Sequence, residues 1–276
     1  MTTAEKLPGY AGMLTDYHRA YARELKAMIA GLPIRDGDRV LEMACGDGVY
    51  SAWLAERVGP QGSVTAIDVS AAFLELARKN TGPRVGLVAG AAERMPFAVD
   101  TFDLVWCAQS LYSLPDPVEA VRLMRHVVKP GGVVAVLEND TLHHILLPWP
   151  VEVELAVRAA ELVALVGESD RPRKYYVGRQ LDEVFHKAGL VQTRKHTYAT
   201  NRQAPLDLEE RGFLQKYLLD LLERTRPHLD AAMGTRFEAL ATPGSKEFLP
   251  DREDMTVTCL DHVVWGIKPS VGRLGR

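Results

Sequence analysis

The spacing of apolar and polar positions along this chain changes several times, and each change marks an element. Tyr10, Leu14, Tyr17, Tyr21, Leu25 and Met28 recur at steps of three or four. That spacing predicts a helix over 10–30, ended by Gly31 and Pro33. RVLEM (39–43) is a short apolar run that stops at a glycine-rich turn, and a helix from Tyr50 to Arg57 follows. SVTAI (63–67), RVGLV (84–88), FDLVWC (102–107) and VVAVLE (133–138) read as further strands. Ser70 is placed to cap a helix that carries Phe73, Leu74 and Ala77. Asp116-Pro117-Val118-Glu119 sets an N-cap, a first-position proline and a capping-box glutamate before a helix to about Val128. Lys129-Pro130-Gly131-Gly132 then turns into the fifth strand. Strands alternating with helices imply a parallel sheet covered on both faces. Such sheets bind ligands beyond the carboxyl ends of their strands.

Beyond residue 140 the alternation loosens. Residues 151–168 predict an amphipathic helix with Glu154, Arg158, Glu161 and Glu168 on one side and Ala156, Ala159, Ala160 and Val163 opposite. Helices at about 178–188 and 206–224, and strands at 189–199 and 255–267, follow. The stretches 141–175 and 204–250 read as helical inserts within one domain spanning 1–276. In this division 33–140 is the ligand-binding core, completed by 176–203 and 251–268. Residues 1–32 and the two inserts are cap or substrate elements.

Composition narrows the classes. The 276 residues are 47% apolar and 25% charged, which excludes a disordered or fibrous chain. Lys and Arg number 33 against 36 Asp and Glu, a net charge of −3. A nucleic-acid partner is not expected without a basic excess. Cys45, Cys107 and Cys259 are scattered, with no CxxC spacing, as expected of reduced thiols in the cytoplasm. MTTAEKLPGY lacks the basic start and apolar core of a signal peptide, and the most apolar helix carries four charges by residue 161, so no membrane association is expected. A monomer and a homodimer are equally compatible with the sequence.

The chemistry is concentrated in VLEMACGDGVY (40–50). A strand ends in Glu42, and a tight turn follows with Ala44, Gly46 and Gly48. Glycines there admit positive φ and let a ligand approach the backbone. The third glycine of a dinucleotide fingerprint is missing, and no Gly-Lys-Ser/Thr completes a phosphate loop. Asp68 ends the second strand, where a carboxylate can accept both hydroxyls of a ribose. It could instead cap the next helix, although Ser70 is better placed for that. The pair points to a nucleoside-containing ligand.

Four blocks, VLEMACGDG (40–48), VTAIDVS (64–70), GAAERMPFAVDTFDLVWC (90–107) and LPDPVEAVRLMRHVVKPGGVVAVLE (114–138), resemble class I S-adenosylmethionine-dependent methyltransferases. The resemblance is to the small-molecule type found in ubiquinone and menaquinone biosynthesis. It implies a Rossmann-like, doubly wound seven-stranded sheet with the last strand antiparallel, helical inserts forming a cap, and S-adenosylmethionine as cofactor. Glu42 and the loop from Ala44 to Gly48 match the residues that hold the cofactor's methionine part. Asp68 matches the ribose ligand, Val69 packs on the adenine, Ala91-Ala92-Glu93 lies along its edge, and Cys107 to Gln109 lies near the methionine end. Tyr17 is the candidate to close over the cofactor. Two positions depart from the family. Ala44 stands where glycine is common, and Ala91 stands where a carboxylate often takes the adenine amino group. The second loss weakens binding by about 0.5–1.5 kcal/mol.

The acceptor side is less explicit. CAQSLYSLPD (107–116) lacks the Asn/Asp-Pro-Pro-aromatic motif of DNA amino-methyltransferases and offers Tyr112 to the pocket. ENDTLHHILLPWP (138–150) offers His143 and His144 as candidate general bases, with Asp140 and Trp149 as pocket residues. The two histidines are adjacent and point different ways, so at most one faces the acceptor. Tyr175 and Tyr176 are further pocket candidates, beside a basic run that suits an anionic substrate if it is functional. No metal site is expected, because no ligand spacing accompanies the histidines. Methyl transfer to a small molecule is the leading expectation. A nucleic-acid or protein methyltransferase, or a non-catalytic cofactor-binding domain, is the alternative.

Overall fold

The computed structural model describes residues 6–168 and 175–270. The basic run at 171–174 lies outside them. Numbered in chain order, the strands are β1 (Arg39–Met43), β2 (Ser63–Asp68), β3 (Val85–Ala89), β4 (Phe102–Ala108), β5 (Val128–Glu138), β6 (Ile145–Leu146), β7 (Val191–Gln203) and β8 (Thr256–Ile267). The helices are α1 (Ala11–Ala20), α2 (Ala22–Ala30), α3 (Val49–Arg57), α4 (Ala71–Asn80), α5 (Pro117–Val127), α6 (Val151–Glu168), α7 (Val177–Lys187), α8 (Leu208–Thr225) and α9 (Ala231–Ala241).

The sheet runs β3-β2-β1-β4-β5-β8, with β7 along the outer edge of β8. The first five strands are parallel, and β8 is antiparallel to β5. This is the doubly wound, Rossmann-like sheet expected, with an eighth strand added. That strand, β6, has two residues and pairs with the other end of β8, Ile145 opposite Cys259. Alternate residues within a strand face opposite layers. Leu104 and Trp106 of β4 pack with α1, α2, α3, α8 and α9, while Val105 and Cys107 pack with α5 and α7.

Several expectations shift. The first helix breaks at Tyr21, whose ring is buried against Phe213, so α1 lies on α8 and α2 on α3. At α5, Asp116 accepts from the Val118 and Glu119 N–H groups, and Glu119 pairs with Arg122. The reciprocal capping box sits at α8, between Asp207 and Glu210. The largest change is the orientation of α6. Its inner face is Val153, Val157, Ala160 and Ala164 with the carboxylate of Glu161 among them, whereas Val163 is 56% exposed. Glu161 accepts from Arg158 at 3.0 Å and from Arg224 of α8 at 3.4 Å. A buried carboxylate is tolerated because it is paired. Val151, Leu155, Leu162 and Val166 are left on the outside.

Candidate functional site

A cavity of about 1080 Å³ opens beyond the C-terminal ends of β1 and β4, the point where strand order reverses. The core contributes its floor, and α1, α6 and α8 contribute its roof. The loop after β1 enters with Ala44 and Gly46 at φ of +57° and +51°. The Gly46 N–H donates to Asp68 Oδ2 at 2.8 Å, and the Ser70 N–H donates to Asp68 Oδ1 at 2.8 Å. Ser70 itself caps α4 by accepting from the Phe73 N–H at 3.3 Å. Asp68 is therefore a link between the glycine loop and the start of α4, and the capping belongs to Ser70. Val69 follows, 75% exposed and forming an open apolar wall, and Ala91, Ala92 and Glu93 line the same end.

Two carboxyls close the floor. Glu42 accepts from the Ser51 hydroxyl, and burial pushes its pKa up to about 8. Glu138 accepts from the Leu111 N–H at 2.5 Å, and burial likewise pushes it up to about 8. Gln109 lines the wall, its N–H bonded to the Leu137 carbonyl at 2.7 Å and its φ at +49°. Tyr17 lines the roof, with its hydroxyl donating to the buried Asp261 at 3.0 Å.

Away from Asp68, the walls become aromatic: Tyr112, Tyr175, Phe213 and Tyr217. His144 lies among them. Its Nδ1 is 2.9 Å from the Thr141 carbonyl, which only accepts, so the proton sits on Nδ1 and Nε2 keeps a lone pair. Burial pushes its pKa down to about 4, so the ring is neutral at pH 7. Arg158 donates to the Tyr217 hydroxyl at 3.3 Å, and Tyr217 meets His144 edge to face. The segment 139–144 is held at both ends by one strand: Glu138 pairs with His262, and Ile145 pairs with Cys259. In addition, the Leu260 N–H donates to the His144 carbonyl at 2.8 Å.

Six of the residues expected here lie elsewhere. His143 is exposed outside the cavity, its ring 5.9 Å from that of Tyr176. Cys107 points to the opposite face of the sheet, between α5 and α7, as strand alternation requires. Gly48 begins α3 at φ +75°, and a Cβ there would come within 2.8 Å of Ala77 and Thr81, so its smallness serves packing on α4. Asp140 pairs with Arg179 at 2.5 Å. Tyr176 lies beneath the Arg179 guanidinium, and Trp149 is buried against Phe237 and Arg158. Others enter that sequence reasoning passed over: His18, Tyr50, Glu138, Phe213, Tyr217 and Arg224. A histidine beside the tyrosine stripe of the first helix was the one available signal for His18. Among the described residues, no group of three or more His, Cys, Asp or Glu is arranged to hold a metal, and no helix is long and apolar enough to cross a membrane.

Residues 40–132 match the model of a family described as a methyltransferase domain, and the sheet they help to build is Rossmann-like. The demethylmenaquinone methyltransferase of Staphylococcus aureus is 37% identical over 117 residues, 42% of this chain and 48% of that protein. The chain thus spans about half the length of the curated relatives it matches. The YcgJ protein of Bacillus subtilis superposes with a TM-score of 0.55 at 18% identity, covering 90% of this chain and 99% of its own. An S-adenosylmethionine-dependent methyltransferase from Aquifex aeolicus superposes at 0.52 and 18% identity, covering 70% and 91%. These structural likenesses establish the fold.

Proposed function

We propose that this protein transfers a methyl group from S-adenosylmethionine to a small-molecule acceptor at oxygen, nitrogen or carbon. The observation that carries the reading is the Asp68 carboxylate, fastened to the glycine loop at the cavity floor. Each of its oxygens takes one backbone N–H and retains capacity for a second donor, which suits the paired hydroxyls of a ribose. Gly46 leaves the adjoining space open: a Cβ there would meet only Leu14, at 3.9 Å. Asp68 would hold the ribose, Val69 and Ala91–Glu93 the adenine, and Glu42 with the loop from Ala44 to Gly46 the methionine part.

When bound, the cofactor supplies a methyl group activated by its positively charged sulfur. The chain contributes alignment and exclusion of water. His144 Nε2 is the acceptor for a proton leaving the nucleophile. Tyr112, Tyr175, Phe213 and Tyr217 give an aromatic wall, and α6 and α8 roof it over, which supports a small molecule rather than a polymer. The Staphylococcus aureus relative, named for a demethylmenaquinone acceptor, supports the same choice. We place the protein in the cytoplasm.

Calorimetric titration with S-adenosylhomocysteine, against NADH as comparison, tests the cofactor. S-adenosylhomocysteine is expected to bind and NADH is not. Asp68→Ala is expected to lose about a hundredfold or more in affinity, as two hydrogen bonds to a charged group disappear. Binding by Asp68→Ala as tight as wild type would show the ribose assignment to be wrong.

A further inference from the structure

His18 and Tyr50 carry two polar atoms that the fold does not use. Each residue is 4% exposed, and both line the cavity, one from α1 and the other from α3. Their rings meet edge to face with centroids 5.0 Å apart. His18 Nδ1 lies 3.1 Å from Asp47 Oδ2. The carboxylate only accepts, so the ring proton sits on Nδ1 and Nε2 of the neutral ring presents a lone pair. Neither that Nε2 nor the Tyr50 hydroxyl finds a hydrogen-bond partner among the described residues. Buried polar atoms are almost always paired, and leaving two together unpaired is costly to a fold.

The surroundings fix the kind of partner they await. The carboxyls acting on the Tyr50 hydroxyl include Asp261 and Asp47, with Glu42 and Glu138, which hold their protons at pH 7, beside them. An anion would be repelled there. A sulfonium has no N–H to offer a lone pair. A primary ammonium has three donors and the right charge. Asp47 belongs to the glycine loop, and Glu42 is the penultimate residue of β1, so the site adjoins the cofactor end of the cavity and not the wall around His144.

We propose that His18 Nε2 and the Tyr50 hydroxyl bind the α-ammonium group of the cofactor's amino-acid end, with Asp47 orienting the imidazole. This rests on the S-adenosylmethionine reading above. His18 and Tyr50 then select for a cofactor bearing that amine, and Asp47 is a positioning residue.

The test is calorimetry with three probes on wild type, Tyr50→Phe and His18→Asn. S-adenosylhomocysteine carries the amine and the carboxylate, decarboxylated S-adenosylmethionine carries only the amine, and 5′-methylthioadenosine carries neither. Tyr50→Phe removes a hydroxyl the fold leaves unpaired, so its ligand-free melting temperature stays at or above wild type. His18→Asn keeps an amide near Asp47 and lacks Nε2. Each variant is expected to bind the two amine-bearing probes about tenfold to a hundredfold more weakly, with 5′-methylthioadenosine unchanged. Parallel loss of 5′-methylthioadenosine, or unchanged S-adenosylhomocysteine binding, overturns the proposal. So does a loss confined to S-adenosylhomocysteine, which would identify the carboxylate as the group held. Failure of wild type to bind any probe overturns the cofactor reading itself, and this proposal with it.

Discussion

Gly46 and Gly48 stand two residues apart in one turn, and the structure gives them different tasks that substitution by alanine separates. Both have positive φ, so a Cβ at either costs about 1–2 kcal/mol in backbone strain. At Gly48 the new Cβ also meets Ala77 Cβ and Thr81 Cγ2 at 2.8 Å and Ala77 Cα at 3.0 Å. Overpacking of that kind adds about 1–3 kcal/mol, for a total of about 2–5. In a chain of this size that lowers the melting temperature by about 3–9 °C. At Gly46 the Cβ has only Leu14 Cδ2 at 3.9 Å, so the loss stays near the strain alone. That Cβ, however, occupies the cavity beside the N–H that holds Asp68. Thermal melts of the ligand-free variants, followed by calorimetry with S-adenosylhomocysteine where both are folded, read the two effects apart. Gly48→Ala is expected to melt lowest and still bind like wild type. Gly46→Ala is expected to melt higher and bind at least about tenfold more weakly, some 1.4 kcal/mol. The opposite pattern, with the folded Gly48→Ala defective in binding and Gly46→Ala intact, would refute the division of labour.

Stability should fall as pH rises from 7 to 9. Glu42 and Glu138 titrate near 8 in the native state, against an ordinary 4.5, so the folded protein holds protons that the unfolded chain has released. Their contribution is complete below the unfolded value and is lost as pH rises through 8, a drop of about 1.4 kcal/mol per group over that interval. A urea midpoint that stays flat or climbs would contradict it. Ala44→Gly should raise stability, since it relieves about 1–2 kcal/mol of left-handed strain against a cost of about 0.4–1 kcal/mol from the greater freedom of the unfolded chain. A melting temperature at or below wild type would count against that strain. His143→Ala and His144→Ala should both retain S-adenosylhomocysteine affinity. With an acceptor in hand, turnover should fall by about 10² or more only for His144→Ala, and equal turnover in the two would remove His144 from the reaction.

The parallel core could be read along the chain because its strands are short apolar runs, and two of the helices between them, α4 and α5, open on side-chain caps at Ser70 and Asp116. Asp68 and the glycine turn share that local legibility: strand end, turn and carboxylate follow in sequence order. What escaped depends on distant partners. The burial of Glu161 on α6 is matched by Arg224, 63 residues further along, and periodicity within the helix carries no trace of that pairing. His18 meets Asp47 across 29 residues. The task of Gly48 is set by α4, which no pattern in the turn announces. The two-residue β6 is too short to have a period at all. His143 and His144 illustrate the boundary. Adjacency showed that they diverge, but only the Thr141 carbonyl and the anchoring of Ile145 on β8 decide which one enters the cavity.

The double anchorage of 139–144 has a consequence for how such a protein changes over time. Both ends of the segment are registered on a single strand, so its interior can be rewritten while the sheet keeps its alignment. Asn139, Thr141 and His144 reach the cavity from this one short stretch, apart from the loops assigned to the nucleoside. On the proposed reading, acceptor preference can therefore drift, or be engineered, through this one contiguous stretch. The methyl-donor half need not be disturbed, so one ancestral scaffold can serve many chemistries with few substitutions.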